Sequence, residues 1–600
     1  MIAELENDRI WFSSSYAERS LIGSLPGVRY DRKREQWWVL ATWTACLTMR
    51  ALFKDALEIG PELTKWAWER NKHEQDIKEL NTALDFQSSY LKFDERLFGY
   101  QQAGAYFLTH NDYSILGDEP GLGKTAQTIA AIKMLHEQGA DVFPILIICP
   151  NSIKRTWQDE LDIWWPNESK LQIVSGTAVQ RRKQLAVATD TGHIVNWESV
   201  RLHSRVAGYG SIRLKACSKC GGIENPRPDE EYKAAVTEAK CEIHPREMQA
   251  IGYKTVIVDE AHRMKDPNAK QTRAVWSVLH SADYRYLLTG TPVADNVGDL
   301  WSLLHGVDPI SFPVKSKFLD AFAATRLNFF GGYEVLGLNP ERKEVFYRIL
   351  DGYLRRTPKS LALPQLPPRL PVQYRYAEMS PKQAKQYNQM RDGFITLLDS
   401  GEPITATDQL VQFTRLRQFA CATGTKGEDG KVHLIEPSCK VDDLAEFVED
   451  NPKPLVVAAE YRQIIELAYD RLTSMGIKCG LITGKQTLDE RHVTCQEFQK
   501  GKLQIVLMTL DAGGVGLTLT AADTIYFIER SSSMLKNSQG EDRVYRIGSE
   551  IHDAVRVVVC ITQDTIEDNK EYQLAVKSER FEEVVQDKER ARRMLNANCK

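Results

Sequence analysis

Two hydrophobic patterns alternate along most of this 600-residue chain. Short unbroken apolar runs such as Ile145-Leu146-Ile147-Ile148-Cys149 and Thr255-Val256-Ile257-Val258 are separated by longer mixed stretches. An apolar run of four or five residues bounded by turn signals marks a strand buried on both faces, as in a parallel sheet. Tyr284-Arg285-Tyr286-Leu287-Leu288 adds another, leading into Thr289-Gly290-Thr291-Pro292. Residues 91–310 are therefore predicted to form a doubly wound α/β domain with its ligand at the carboxyl ends of the strands. Residues 436–575 repeat the pattern in Leu455–Ala459, Leu481–Gly484, Ile505–Met508 and Thr524–Ile528, which predicts a second such domain without a phosphate loop of its own.

The flanks read differently. In residues 1–90, Leu25–Asp31 and Gln36–Leu40 predict two strands joined by a polar turn, followed by helices over 43–58 and 62–81. Trp37 and Trp38 with Arg29, Arg32, Lys33 and Arg34 form an aromatic–basic surface for nucleic acid, or else one Trp is core beneath a solvated turn. Residues 311–435 read as helical insertions and a stiff connector, since Pro358, Pro364, Pro367, Pro368 and Pro371 suit neither a helix nor a central strand. Residues 576–600 read as a charged, peripheral helical tail.

Six hundred residues exceed what one core can organise. No apolar run is long enough to span a bilayer, and Met1–Glu6 lacks the basic and apolar regions of a secretory signal. Eleven mostly scattered cysteines suit a reducing compartment, so the expected setting is cytoplasmic in a bacterium or virus, or nuclear in a eukaryote, and not secreted. A net charge of −4 neither demands nor excludes nucleic acid; a polyanion would have to meet local basic patches.

The chemistry lies in two motifs. Residues 117–125 read Gly-Asp-Glu-Pro-Gly-Leu-Gly-Lys-Thr. Gly121 and Gly123 allow backbone N–H groups to turn onto phosphate, Lys124 supplies a point charge, and the Thr125 hydroxyl suits Mg²⁺. The helix expected from Ala126 onward adds its positive N-terminal end to the same anion site. The segment Asp118, Glu119, Pro120, Gly121, Leu122, Gly123, Lys124 and Thr125 is thus expected to wrap ATP, although Asp118 stands where the strict phosphate-loop pattern has glycine. The second motif, Asp259-Glu260-Ala261-His262, ends a buried-type strand, with Asp259 to hold the metal and Glu260 to polarise the attacking water. In the second domain Arg543 and Arg546 lie three apart, on one face if helical, and their guanidinium groups suit charge spreading over a transferring phosphoryl group. The glycine-dense loop Asp511–Leu517, with Gly514 and Gly516, suits close approach of phosphates or of the other domain.

This series of motifs resembles the Swi/Snf family of ATP-dependent DNA translocases, within the DEAD/DEAH helicase superfamily, over about residues 91–575. Leu97–Gln101 with Gly104 resembles the Q-motif, implying that Gln101 reads adenine. Gly117–Thr125 resembles motif I, Ile147–Pro150 with Trp157 and Glu160 motif Ia, Ile194–Glu198 the next strand, and Asp259–His262 motif II. Leu288–Pro292 resembles motif III and Leu354–Thr357 the segment leading out of the first lobe. Leu510–Asp523 resembles motif V, and Gln539–Gly548 motif VI, which implies that Gln539 lies at the nucleotide. His262, Thr289, Gly290, Thr291, Gly514 and Gly516 resemble the parts that couple hydrolysis to movement. Thr518, Ser549 and Asp295 depart from the family pattern without removing a charged catalytic group. The resemblance implies two tandem RecA-like doubly wound lobes behind a small α+β module. Leu25–Asp31 with Trp37 or Trp38 is similar to the substrate-recognition module of HepA-related annealing helicases, which implies branched or forked DNA.

Cys217, Cys220, Cys241 and His244 form C-x₂-C-x₂₀-C-x₂-H inside an insertion at about 213–250. The spacing fits two knuckles of a structural Zn²⁺ site, with incidental loop cysteines as the alternative. The expectation is an ATPase using ATP and Mg²⁺ that moves on double-stranded or forked DNA, chiefly through phosphate contacts and without a membrane. Its rivals are a strand-separating DNA or RNA helicase and a non-enzymatic DNA-binding scaffold.

Overall fold

The computed structural model describes residues 1–13, 18–84, 94–166, 168–187, 190–204, 247–293, 296–327, 333–397, 403–405, 409–427, 431–512 and 517–585. The chain divides into one unit of residues 1–362 with the segment from 580 onward, and a second of residues 363–579.

The first unit begins with a five-stranded sheet built from β1 (Ile2–Glu6), β2 (Arg9–Phe12), β3 (Arg29–Asp31), β4 (Gln36–Leu40) and β5 (Glu58–Ile59), in the order β3-β4-β2-β1-β5. The expected hairpin is β3–β4, with Asp31 opposite Gln36. A second hairpin, β1–β2, turns at Asn7 and Asp8, both at positive φ as a two-residue primed turn requires. Ala3, Ile10, Phe12 and Val39 line the inner face and pack on Ala45, Met49 and Phe53 of the helix Trp43–Phe53.

The large sheet of this unit contains β6 (Tyr113–Leu116), β7 (Ile145–Cys149), β8 (Gln172–Ile173), β9 (Gly192–Asn196), β10 (Thr255–Asp259) and β11 (Tyr284–Leu288). A separate hairpin of β12 (Ala323–Leu327) and β13 (Tyr333–Leu338) precedes its last strand, β14 (Leu354–Arg355). The order is β14-β6-β11-β10-β7-β9-β8 and every pairing is parallel. Segment 311–435 is therefore more than a connector: β14 joins this sheet and β15 (Gln373–Ala377) joins the next. Nor is the tail peripheral as far as it is described. The helix Ile566–Val585 ends with Val584 and Val585 buried in the first unit's core, and the Tyr347 hydroxyl donates to the Glu583 carbonyl at 2.6 Å.

In the second unit two small hairpins follow, β16 (Ile395–Leu397) with β17 (Pro403–Thr405) and β18 (Thr423–Lys426) with β19 (Val432–Ile435). Strands β20 (Leu455–Ala459), β21 (Cys479–Ile482), β22 (Ile505–Thr509), β23 (Thr524–Phe527) and β24 (Arg556–Thr562) then complete a parallel sheet in the order β15-β24-β23-β20-β22-β21. Val457, Ala459 and Leu507 enter one core while Val456, Ala458 and Met508 enter the opposite one. Burial on both faces is why these strands are apolar throughout.

Candidate active site

Three adjacent strands bring three loops to one edge. β6, β11 and β10 are neighbours, and their carboxyl ends lead into Gly117–Thr125, Thr289–Pro292 and Asp259–His262. In the first loop Gly121 and Gly123 have φ of +87° and +73°, the left-handed region that a side chain would oppose. Helix Lys124–Glu137 starts directly behind them, so backbone N–H groups and the helix end converge on one spot. Lys124 Nζ donates to the Asp118 carbonyl at 2.8 Å and the Glu119 carbonyl at 3.4 Å. Burial pushes its pKa down, opposed by the negative charges of Glu260, Asp118 and Asp259.

The departure from the strict phosphate-loop pattern has a structural explanation. Asp118 is fully buried, and its two carboxylate oxygens accept from the Thr357 amide at 2.7 Å and from Gln127 Nε2 at 3.0 Å. Gln127 Nε2 also donates to the Leu122 carbonyl at 3.0 Å, as does Gln101 Nε2 at 3.2 Å. Gln101 Oε1 accepts from the Phe98 amide at 3.0 Å, so its side chain braces the loop. Glu119 accepts from the Lys359 amide at 2.8 Å, and Arg356 Nη1 donates to the carbonyls of Gly117 at 2.6 Å and Gly290 at 2.7 Å. Pro120 packs so closely on Gly290 that a Cβ there would lie 2.7 Å from its ring. Motifs I and III are thereby tied to each other and to the chain leaving the first sheet.

On the acidic side, Asp259 accepts from Trp157 Nε1 at 2.9 Å and from the Glu260 amide at 2.8 Å. Burial and then the neighbouring Glu260 push Asp259 above the ordinary carboxylate range, opposed by Trp157 and Lys124. Glu260 sits at φ +54°, an uncommon conformation for a residue with a Cβ. Its carboxylate lies 3.2 Å from His262 Nδ1, which is 3.3 Å from Thr289 Oγ1, and Thr289 Oγ1 accepts from the Thr291 amide at 3.1 Å. The water-polarising candidate is thus linked to motif III through His262.

The donor set fits a magnesium nucleotide. Positive-φ glycines, a lysine at a helix start, the half-buried Thr125 hydroxyl and the half-buried Asp259 carboxylate supply N–H groups for phosphate and hard oxygens for Mg²⁺.

In the second unit the helix Met534–Glu541 carries Gln539 but stops before the arginines, so Arg543 and Arg546 lie on turns and not on a helical face. They converge nonetheless: each donates from Nη1 to the Leu517 carbonyl, at 3.3 and 3.2 Å. Desolvation lowers the Arg546 pKa. Gly514, Gly516, Asp295 and the four zinc candidates Cys217, Cys220, Cys241 and His244 lie outside the described residues. Among the described residues, Cys421, Glu529 and Glu567 cluster, but Lys440 Nζ lies 2.7 Å from Glu567 and Arg417 pairs with Glu529, so cations of the chain already fill this place.

The two tryptophans of β4 part company. Trp37 is half-buried against the inner core, whereas Trp38 is buried on the opposite face of the sheet beside Trp11, their ring centroids 6.1 Å apart. Arg9 lies 4.2 Å and Arg29 5.3 Å from the Trp38 centroid, and Arg34 lies 4.4 Å from that of Trp11. Arg9 and Trp11 of β2, outside Leu25–Leu40, also belong to this cationic face; the alternation along β2 is the signal for them. The braces Gln127, Arg356 and Thr357 and the indole of Trp157 had no comparable signal of their role.

Residues 64–425 match the family model described as the SNF2-related domain, and residues 439–548 the helicase conserved C-terminal domain. The chain is 28% identical over 491 residues to chromodomain-helicase-DNA-binding protein 1-like of Mus musculus, covering 79% of this chain and 48% of that protein. It is 23% identical over 470 residues to the DNA annealing helicase and endonuclease ZRANB3 of Bos taurus, covering 78% and 38%. The Sulfolobus solfataricus SWI2/SNF2 ATPase core in complex with dsDNA aligns over 86% of this chain and 97% of that one at 20% identity and a TM-score of 0.36. The chain spans less than half the length of the two curated relatives. With the first model alone matching more than half of its residues and the helicase C-terminal model following in order, the chain belongs to the SNF2-related family.

Proposed function

We propose that the protein is an ATP-driven motor that translocates on double-stranded or forked DNA. The observation that carries this is the convergence of the phosphate loop, Asp259–Glu260 and Thr289–Thr291 at the ends of adjacent strands, linked through His262. Lys124 and the loop amides bind the ATP phosphates, Thr125 and Asp259 hold Mg²⁺, and Gln101 and Gln539 border the nucleotide. Bound Mg²⁺ supplies neutralising charge for the phosphates. Glu260 orients a water and takes its proton as the water oxygen bonds to the γ-phosphorus. The bond from that phosphorus to the β-phosphate bridging oxygen breaks, leaving ADP and phosphate. Arg543 and Arg546 stabilise the charge that spreads over the transferring group. The Glu260–His262–Thr289 link supports a coupling role for motif III, so that events at the phosphate change the shape of the lobe.

DNA binds through phosphate contacts, so affinity should fall steeply with salt. The exposed Arg9, Arg29 and Arg34 over the buried Trp11–Trp38 pair favour an extra phosphate contact, and the name of the bovine relative, a DNA annealing helicase, favours annealing or fork remodelling as its use. A zinc-closed insertion at Cys217, Cys220, Cys241 and His244 rests on spacing alone.

The test is ATP turnover with duplex, forked and single-stranded DNA and RNA, beside Lys124→Ala and Glu260→Gln. Stimulation by duplex or forked DNA that both variants lose, with ATP binding retained in Glu260→Gln, supports the motor. Stimulation by RNA or single strands alone moves it to the strand-separating class, and no turnover with any of them leaves a scaffold.

A further inference from the structure

Asp259 is held by donors that belong neither to the phosphate loop nor to the nucleotide. Trp157 Nε1 donates to Oδ2 at 2.9 Å, the Glu260 amide donates to Oδ1 at 2.8 Å, and Trp197 Nε1 donates to the Asp259 carbonyl at 3.2 Å. Trp157 is 1% exposed on the helix Lys154–Trp164, which follows β7, the strand beside β10. A core aromatic needs no polar partner to fill this space. An indole in place of a phenyl ring is accounted for by its N–H, which finds the one carboxylate at the end of β10.

The geometry has a consequence for ligand binding. A carboxylate that accepts one fixed hydrogen bond on each oxygen is no longer free to rotate about Cβ–Cγ. Its remaining lone pairs then point in one set of directions, so the site is arranged before any cation arrives. With Trp157 replaced by a ring lacking N–H, Oδ2 would be free to turn, and the Glu260 amide alone would hold the group. We propose that Trp157 is a positioning residue for the metal site, its indole N–H fixing the orientation in which Asp259 presents oxygen to Mg²⁺. This rests on the reading of Asp259 as the metal-holding carboxylate. It gives the helix after β7 a part in nucleotide binding. Hydrogen-bond partners behind a metal ligand typically contribute about 10–100-fold to metal affinity.

The experiment compares the full-length protein with Trp157→Phe, with β-(3-benzothienyl)alanine at position 157, and with Asp259→Asn. The benzothienyl ring keeps the shape of indole and replaces N–H by sulfur, so it decides the matter if Trp157→Phe fails to fold. The readout is the Mg²⁺ concentration that half-saturates binding of a fluorescent ADP analogue, followed by anisotropy without turnover, with thermal midpoints measured alongside. The expected result is a rise of about 10–100-fold in that concentration for both position-157 variants. Affinity at saturating Mg²⁺ and the thermal midpoint of the benzothienyl protein should match the wild type, a split that lost packing would not produce. Wild-type Mg²⁺ dependence in the benzothienyl protein, with Asp259→Asn weakened, overturns the role of Trp157 and leaves the reading of Asp259 standing. Unchanged Mg²⁺ dependence in Asp259→Asn removes that reading and the proposal with it.

Discussion

Replacing Asp118 with alanine withdraws the acceptor of two buried hydrogen bonds at once. The Thr357 amide, 2.7 Å from Oδ1, would have no acceptor in a fully buried place, whereas Gln127 Nε2 would keep its bond to the Leu122 carbonyl. A buried donor left unsatisfied costs roughly 1–3 kcal/mol and a lost charge-assisted bond about 1–2 more, so Asp118→Ala should destabilise the first unit by about 3 kcal/mol. Asp118→Asn retains an acceptor for Thr357 but turns an amide NH₂ toward Gln127 Nε2, and about 1–2 kcal/mol is expected. Urea denaturation, followed through the first transition, gives the ranking, and hydrogen exchange over residues 354–360 reports the Thr357 amide directly. Both variants should speed that exchange, alanine more than asparagine, and weaken ATP binding in proportion to the loosened loop. An Asp118→Asn protein with wild-type stability and exchange but lost ATP affinity would refute the reasoning, because the carboxylate would then be a direct nucleotide contact.

Other expectations follow from neighbouring contacts. A Cβ at Gly104 would land on Gln127 Oε1, so Gly104→Ala should displace the brace of Asp118 and Leu122 and weaken ADP binding about tenfold, an affinity loss of about 1.4 kcal/mol, as titration calorimetry would show. Arg356→Lys should weaken nucleotide binding by a similar factor in the same assay, because one ammonium cannot replace both Nη1, which serves the Gly117 and Gly290 carbonyls, and Nη2, which lies 3.6 Å from the Glu119 carboxylate. His305 is fully buried, with Nδ1 2.8 Å from the Phe312 carbonyl, and burial pushes its pKa from 6.5 down to about 4. A depressed folded-state pKa favours the neutral ring, so its contribution is complete above pH 6.5 and is lost as pH falls toward about 4, by about 3 kcal/mol in all. His305→Gln should lower stability at pH 7 yet flatten its decline between those limits in urea titrations.

The parts that could be read from the chain are those whose signal is local. β7, β10, β20 and β22 appear where unbroken apolar runs stand, since burial on both faces leaves no polar position to blur them. The phosphate loop announces itself because Gly121 and Gly123 must take positive φ within a few residues of Lys124. The helical face expected for Arg543 and Arg546 was an extrapolation of spacing. Gly540 and Gly548, the latter at φ +103°, bracket a stretch that turns instead, and the arginines meet through the Leu517 carbonyl. The hairpin at Asn7-Asp8 carries its own local signal, two turn residues between the short strands β1 and β2.

What no local pattern contains is the order of strands. β6, β11 and β10 are adjacent although β7 to β9 intervene between β6 and β10 in the chain, and that adjacency alone places Lys124, Thr289 and Asp259 at one edge. The bonds that make the edge rigid are longer-range still: Asp118 reaches Thr357 across 239 residues, and Trp157 reaches Asp259 across 102. Each joins a residue whose type is unremarkable by itself to one whose chemistry is evident. A buried aspartate in a phosphate loop reads as a departure until its two donors are seen, and a tryptophan in a helix reads as core until its N–H is followed. The motif residues supply the chemistry of the proposed nucleotide site, and Asp118, Gln127, Arg356 and Thr357 supply the hydrogen bonds that tie it to the chain leaving the first sheet. Substitutions at those four positions should weaken the link between nucleotide state and lobe shape even where every catalytic side chain is retained.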